Sequence, residues 1–439
     1  YLQRKLSYQF RTDKFVLNKG GNYKVSINPY GNYLGINGLG RIGKLTLWYH
    51  LQENHFDGFV INVGRQIGNN LEDIAHLLGT DSTYGTIEKF LFGIKAQKDI
   101  KIISKKDNLL EVFGKPVKIL CKARNPRDIK WRENGVKLVI DTTGAFNDPN
   151  YLEDDKKGSL RGHLSAGAQK VINSAPFKII DKSKKIPEDC ATLIYGINHT
   201  TFNPNNDNII SAASCTTTGL AHMIKPLLEK EETKNILTAS LSTIHAATNS
   251  QKVLDSLPAA GASDLRKSRM VFNNIILSTT GAVNTLEKVL PEIKRVGFMA
   301  DSVRIPIDTV SLIILNLTFH SCLNEKGEPT VNRGFLNNIY KEAAQSSQKG
   351  LLFYSEEQNV SSDLKGKLFA IVIEGHDTHT RTGFIDLKPE MLGKMGLDTD
   401  NGVSIPVTHS TLFGWYDNEY GSYVHCLCRL AIYIDNALR

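Results

Sequence analysis

The chain has 439 residues, 41% of them hydrophobic and 22% charged, with 35 Gly and 14 Pro, which excludes disordered, collagen-like and coiled-coil classes. No apolar run approaches the roughly 18 residues that span a bilayer, and six scattered cysteines (121, 190, 215, 322, 426, 428) are too few for a disulfide framework, favouring a reducing compartment. The net charge of +8 does not mark a nucleic-acid binder, because residues 1–30 hold six basic side chains against one acid, Asp13, leaving the body nearly neutral.

Residues 1–32 read as an extra basic extension in solvent. The stretch is acid-poor like a transit peptide, yet it has few Ser and two strand-like stretches. The expected location is the cytoplasm, with organellar import through a removed leader left open. The length implies two or three domains.

From Tyr33 an apolar strand runs through Asn37 into Gly38-Leu39-Gly40-Arg41-Ile42-Gly43, then into a helix with Leu45, Trp48 and Leu51 on one face. In this G-x-G-x-x-G pattern Gly38 permits the tight turn, Gly40 admits a pyrophosphate to the backbone, and Gly43 lets helix approach strand. The next strand is Gly58–Asn62, and an acid at its end would hold the adenosine ribose. Val63 stands there instead, followed by Arg65. Arg65 is read either as a cation for a 2′-phosphate, hence NADP, or as a solvated loop residue. A helix near Leu71–Leu78 and strands at Val117–Leu120, Val136–Ile140, Val171-Ile172 and Ile209-Ile210 complete an alternating series, which predicts a doubly wound parallel sheet.

At 211–228 Leu220, Met223, Ile224, Leu227 and Leu228 recur at helical spacing, so Ser214, Cys215 and Thr216 fall at a helix start. There the dipole favours a thiolate. A buried structural cysteine is the competing reading. A strand from Ser240 ends in His245, with Thr248 beyond it. An imidazole that reaches the thiol can act as its base. Asp264–Arg269 carries three cations, Ser278-Thr279-Thr280-Gly281 precedes a helix, and Arg304 lies in an apolar strand where it calls for an anion. Ser311–Leu317 continues as strand.

These strings, with Trp415-Tyr416-Asp417-Asn418-Glu419, occur in the order found in phosphorylating glyceraldehyde-3-phosphate dehydrogenases, which the chain resembles over residues 33–439. The resemblance implies an α/β protein in two parts. One is a Rossmann NAD(P)-binding domain (33–213), completed by a C-terminal helix at 421–439. The other is an α+β catalytic domain (214–412) with a mixed or antiparallel sheet. It implies a homotetramer in which a loop near 249–275 reaches a neighbour's cofactor. By the same resemblance Cys215 is the nucleophile and His245 the base. Asn37, Gly38, Gly40, Arg41, Ile42, Gly43, Val63, Arg65, Arg124, Thr143 and Asn418 serve the cofactor, NAD or NADP. Ser214, Thr216, Thr248, Arg269, Thr280, Gly281 and Arg304 serve substrate phosphate and inorganic phosphate, and no metal, membrane or nucleic-acid partner is implied.

Several positions depart from the family pattern. Val63 replaces the ribose acid, whereas Leu257-Pro258 matches NAD-preferring members. Thr218 stands for an Asn, Ser422-Tyr423 inverts the usual order, and the region near 367–405 is longer. Within it Glu374–His379 is read as a polar surface loop rather than a metal site, and Cys426 and Cys428 as core residues. Erythrose 4-phosphate is an alternative substrate. A retired paralogue that binds RNA is an alternative of another class.

Overall fold

Strands β1 (Tyr33–Asn37) and β2 (Gly58–Asn62) are buried along their whole length, as central parallel strands covered on both faces must be. The computed structural model describes residues 31–258, 260–397 and 400–439; the basic extension, Gly31 and Asn32 aside, lies outside the described residues. After a two-residue hairpin, β3 (Thr80–Asp81) and β4 (Gly85–Thr86), follow β5 (Ile100–Ser104), β6 (Leu109–Val112), β7 (Lys115–Leu120), β8 (Val136–Asp141), β9 (Lys170–Asn173), β10 (Cys190–Thr192) and β11 (Ile209–Ser211). Their order in one nine-stranded sheet is β10-β11-β9-β8-β1-β2-β7-β6-β5. The seven strands from β10 to β7 pair in parallel and wind outward from β1 in both directions. Strands β5 and β6 add an antiparallel edge that apolar runs did not disclose.

The second sheet is mixed. It comprises β12 (Ile236–His245), β13 (Ile276–Thr279), β14 (Gly297–Arg304), β15 (Ser311–His320), β16 (Leu352–Ser355), β17 (Ile371–Glu374), β18 (His379–Leu387) and β19 (Val403–Tyr416). The order is β13-β14-β12-β15-β19-β17-β16, with β18 also on β19. Pairs β12/β14 and β16/β17 are parallel and the others antiparallel.

Among the helices, α1 (Arg41–Glu53) follows β1, and α2 (Leu71–Gly79), α3 (Ile87–Phe92) and α4 (Leu160–Ser165) serve the first sheet. Helix α5 (Cys215–Leu228) leaves β11 and buries Leu220, Met223, Ile224 and Leu227 in the core of the second sheet. Beyond α6 (Ala282–Val289), α7 (Arg333–Gln345) and α8 (Pro389–Lys394), a wide π-type turn at Tyr420–Val424 leads into α9 (His425–Ala437). The α-helix thus starts later than residue 421, and Tyr423, Leu427, Leu430 and Ile434 return to the first core. Cys428 is buried in that core, and Cys426 packs with Leu351 and Ala370 in a small separate cluster. Glu374 is not on a surface loop. It ends β17, is buried, and accepts hydrogen bonds from Trp415 Nε1 at 2.9 Å and Asn359 Nδ2 at 3.0 Å. No helix among the described residues is long and apolar enough to cross a membrane.

Buried histidines give the fold a pH limit, His50, His222 and His425 among them. His50 packs edge-on against Phe56 at 5.0 Å, and neither of its ring nitrogens has a hydrogen-bond partner among the described residues. Burial holds it neutral and drives its pKa down to about 3, while burial takes His222 and His425 to about 4. Above pH ~6.5 both folded and unfolded forms are neutral; below it the unfolded chain gains protons that the folded one refuses, so each histidine removes about 1.4 kcal/mol per pH unit until its folded pKa is reached. Urea unfolding between pH 7 and pH 4.5 should show this loss, and His50→Leu should flatten the slope. An unchanged slope would mean that His50 is protonated in the fold.

Candidate active site

The turn after β1 leaves room for an anionic group against the backbone. Gly38 has φ +102°, outside the range of ordinary residues, and donates its N–H to Asn62 O at 2.8 Å. A Cβ on Gly43 would lie 2.1 Å from Gly38 O, whereas one on Gly40 would meet nothing within 4 Å. Gly40 also caps α1 without a side-chain hydrogen bond, so the first helical N–H groups have no side-chain cap. This glycine-lined hollow fits the pyrophosphate of a dinucleotide. Beneath it, Asn37 Nδ2 donates to Asp141 Oδ2 at 2.7 Å, and Thr143 donates its hydroxyl to Asp141 Oδ1 at 2.6 Å. Trp131 Nε1 donates to His163 Nδ1 at 2.9 Å, so that ring carries its proton on Nε2 and gives it to Asp141 at 3.0 Å. Burial favours protonating Asp141, but these donors hold its carboxyl below the ordinary value.

Asn37 is therefore part of the floor. The Arg41 guanidinium is turned aside as well, bonding Asp81 at 2.6 Å and clasping Glu419. Ile42 is half-buried and packs on the first core. At the adenosine end Val63 is half-buried and donates its N–H to Leu120 O at 2.8 Å. Arg65 and Arg124 are exposed there, and neither has a carboxylate partner among the described residues.

The second half of the site begins where β11 meets α5. Ala213 is fully buried with φ +57°, a strained conformation for a residue with a Cβ. Ser214 then caps the helix, accepting the Thr217 N–H at 3.2 Å. Cys215, first residue of α5, places Sγ 3.5 Å from His245 Nε2. His245 Nδ1 lies 2.8 Å from Ala246 O, which only accepts, so Nδ1 carries the proton and Nε2 offers its lone pair to the thiol. In the parallel register of β12 and β14, His245 sits opposite Arg304. Arg304 Nη1 reaches Ala246 O at 3.4 Å and has no carboxylate partner among the described residues. That leaves an unneutralised cation for an anionic ligand.

The helix start favours the thiolate, but it does not act unopposed. Burial pushes the Cys215 thiol up, with Arg304 and the N–H groups of the first turn opposing it. Burial likewise drives His245 down to about 3, and Arg304 adds to that. Each charge alone is disfavoured. A proton passing from sulfur to Nε2 instead creates two opposite charges in contact, beside a cation that favours the thiolate.

Other candidates divide between the cleft and its supports. Thr216 is buried, and its hydroxyl meets Tyr416 OH at 2.9 Å, which Thr243 also meets at 2.7 Å; the Tyr416 ring stands edge-on to His245. Thr248 is partly exposed, its Oγ1 3.0 Å from Ser250 Oγ. Thr280 and Gly281 form the lead into α6, with the Thr280 hydroxyl accepting the Ala282 N–H at 3.2 Å. Arg269 is exposed and paired with Asp255 at 3.1 Å, so it must let go of Asp255 to serve a ligand. Asn418 is buried, its Oδ1 3.0 Å from Ser311 Oγ. Ser311, Tyr416 and Glu419 were not singled out from sequence; the last two lie within the Trp-Tyr-Asp-Asn-Glu string, which was their available signal.

Two family models match the chain, one on each of its two large sheets. Residues 33–149 match the family model "Glyceraldehyde 3-phosphate dehydrogenase, NAD binding domain", and residues 214–386 match the corresponding C-terminal domain. A glyceraldehyde-3-phosphate dehydrogenase of Streptomyces coelicolor is 32% identical over 410 residues, 92% of this chain and 99% of the relative. One of Geobacillus stearothermophilus is 34% identical over 405 residues, 91% of this chain and 97% of the relative.

If His245 takes the thiol proton, His245→Asn leaves a sulfur opposed by burial with no base. The pH midpoint for alkylation of Cys215 by iodoacetamide should then rise by about 1–2 units. Arg304→Leu should move it the same way. A midpoint that stays or falls in His245→Asn would contradict the pairing.

Proposed function

The chain belongs to the glyceraldehyde-3-phosphate dehydrogenase family, and from that premise we propose that it oxidises glyceraldehyde 3-phosphate to 1,3-bisphosphoglycerate with inorganic phosphate and NAD or NADP, in glycolysis or gluconeogenesis. The observation that carries this reading is the contact of Cys215 Sγ with His245 Nε2, whose other nitrogen is committed to Ala246.

The bound dinucleotide supplies the hydride acceptor. The thiol proton passes to His245 as sulfur bonds to the aldehyde carbon, and the imidazolium then hands a proton to the new oxygen, giving a thiohemiacetal. When hydride leaves that carbon, the hydroxyl proton returns to His245 and a thioester remains. A phosphate oxygen then adds to the thioester carbon, the carbon–sulfur bond breaks, and the departing thiolate recovers its proton from His245. Arg304 and Thr248 hold the substrate phosphate. Ser214, Thr216, Thr280 and Gly281 serve the attacking phosphate, Arg269 serves the substrate or the inorganic phosphate, and Asn418 holds the nicotinamide carboxamide. The unpaired Arg304 and the hydroxyls at two helix starts support these roles.

A homotetramer fits the apolar surface. Leu277 and Met299 are exposed on one face of the second sheet, and Leu254, Leu257, Phe272 and Ile275 are exposed along the 249–275 loop. A cytoplasmic location follows from the metabolic role.

With aldehyde, phosphate and cofactor, Cys215→Ser should abolish formation of reduced cofactor, and His245→Asn should slow it about 10²–10⁴-fold. Full activity in Cys215→Ser would overturn the mechanism, and a higher kcat/KM for erythrose 4-phosphate would change the substrate. The ratio of kcat/KM for NADP over NAD should fall in Arg65→Ala if Arg65 reads a 2′-phosphate; equal losses would make Arg65 a bystander.

A further inference from the structure

We propose that Ser311 is a positioning residue whose buried hydroxyl fixes which way the Asn418 amide faces and ties that amide to the backbone that orients His245. The inference rests on the reading of Asn418 as the group that holds the nicotinamide carboxamide.

An asparagine amide offers an oxygen that accepts and a nitrogen that donates, and a carboxamide ligand offers the same two groups. Left to itself, such a pair forms either way up, and the ring attached to the carboxamide turns with it. At Asn418 the choice is made beforehand. Ser311, first residue of β15, has no exposed surface. Its Oγ accepts the Ala246 N–H at 3.0 Å and lies 3.0 Å from Asn418 Oδ1, to which it gives its proton. Asn418 Nδ2 has no hydrogen-bond partner among the described residues, so its N–H groups are left to face a ligand carbonyl.

Thr309 cannot take over the task. Its hydroxyl donates to Asp417 Oδ1 at 2.9 Å and stands 3.5 Å from Asn418 Oδ1. At the other end of the chain, the Ala246 carbonyl accepts the His245 Nδ1–H at 2.8 Å. One residue of backbone therefore separates the hydrogen bond that sets the imidazole from the one that sets the amide. Ser311 makes no hydrogen bond to Cys215 or His245 among the described residues; its hydroxyl also meets Tyr416, and it acts on the cofactor site through Ala246 and Asn418.

The test measures equilibrium binding of NAD and of ADP-ribose, which lacks the nicotinamide end, to the full chain by calorimetry; if NADP binds more tightly, the 2′-phosphorylated pair is used. Ser311→Ala should weaken the dinucleotide about tenfold and leave ADP-ribose within about twofold. Asn418→Ala should show the same pattern, and adding Ser311→Ala to it should cost nothing further. Ser311→Cys, nearly isosteric and a poor donor, is read the same way if Ser311→Ala does not fold. The inference is overturned if the Ser311 variant binds the dinucleotide like wild type, weakens both ligands alike, or adds its full effect to Asn418→Ala. A variant Asn418→Ala that does not distinguish the two ligands overturns the Asn418 reading instead, and Ser311 falls with it.

Discussion

The proposed mechanism requires a proton to cross from sulfur to nitrogen at a point where burial disfavours a charge on either group alone. That requirement explains why so many separate elements converge on Cys215 and His245. The thiol is delivered by a buried left-handed residue, Ala213, and by a capped helix start. Such a conformation costs on the order of 1–3 kcal/mol and persists only where the surroundings over-determine it. The imidazole is delivered by the end of β12, with its tautomer set by Ala246. The adjacent parallel strand puts Arg304 level with it. A shift of one residue in that register would turn the guanidinium to the opposite face of the sheet.

The two sheets are stitched together at this point rather than merely adjacent. Helix α5 starts at the edge of the first sheet and buries its apolar stripe in the second core. Helix α9 leaves the second sheet and returns to the first core. Between them, Arg41 of the glycine turn clasps Glu419, next to Asn418. Asp417 accepts the Tyr84 hydroxyl at 2.7 Å and the Gly366 N–H at 2.8 Å. The dinucleotide hollow and the thiol are thereby held in one frame, as hydride transfer between two bound groups demands.

Much of this was legible in the sequence, for identifiable reasons. Continuously apolar runs such as Phe59–Ile61 mark buried parallel strands, and Leu220, Met223, Ile224 and Leu227 mark the buried stripe of α5. The glycine spacing conveys its own geometry, since Gly43 has no room for a Cβ and Gly38 takes a φ of +102°. Other features were hidden because they arise from long-range contact. The edge hairpin of β5 and β6 has no continuous apolar run to announce it. Ser311 is an ordinary strand serine until Ala246, 65 residues away, and Asn418, 107 away, close on its hydroxyl. Thr216 looks like a free hydroxyl at a helix start, yet Tyr416 lies 2.9 Å from it. The burial that opposes the Cys215 thiolate was hidden for the same reason, because desolvation depends on what packs around the sulfur and not on its place in a helix.

The covalent step is the most exposed part of the account. Incubating the protein with glyceraldehyde 3-phosphate and oxidised cofactor, without inorganic phosphate, should leave the acyl group stranded on sulfur, where mass spectrometry of the digested protein can find it. The mechanism requires a phosphoglyceroyl adduct on the peptide that contains Cys215, discharged when phosphate is added. Reduced cofactor formed in stoichiometric amount, with no adduct on Cys215 or with the adduct on another residue, would contradict it.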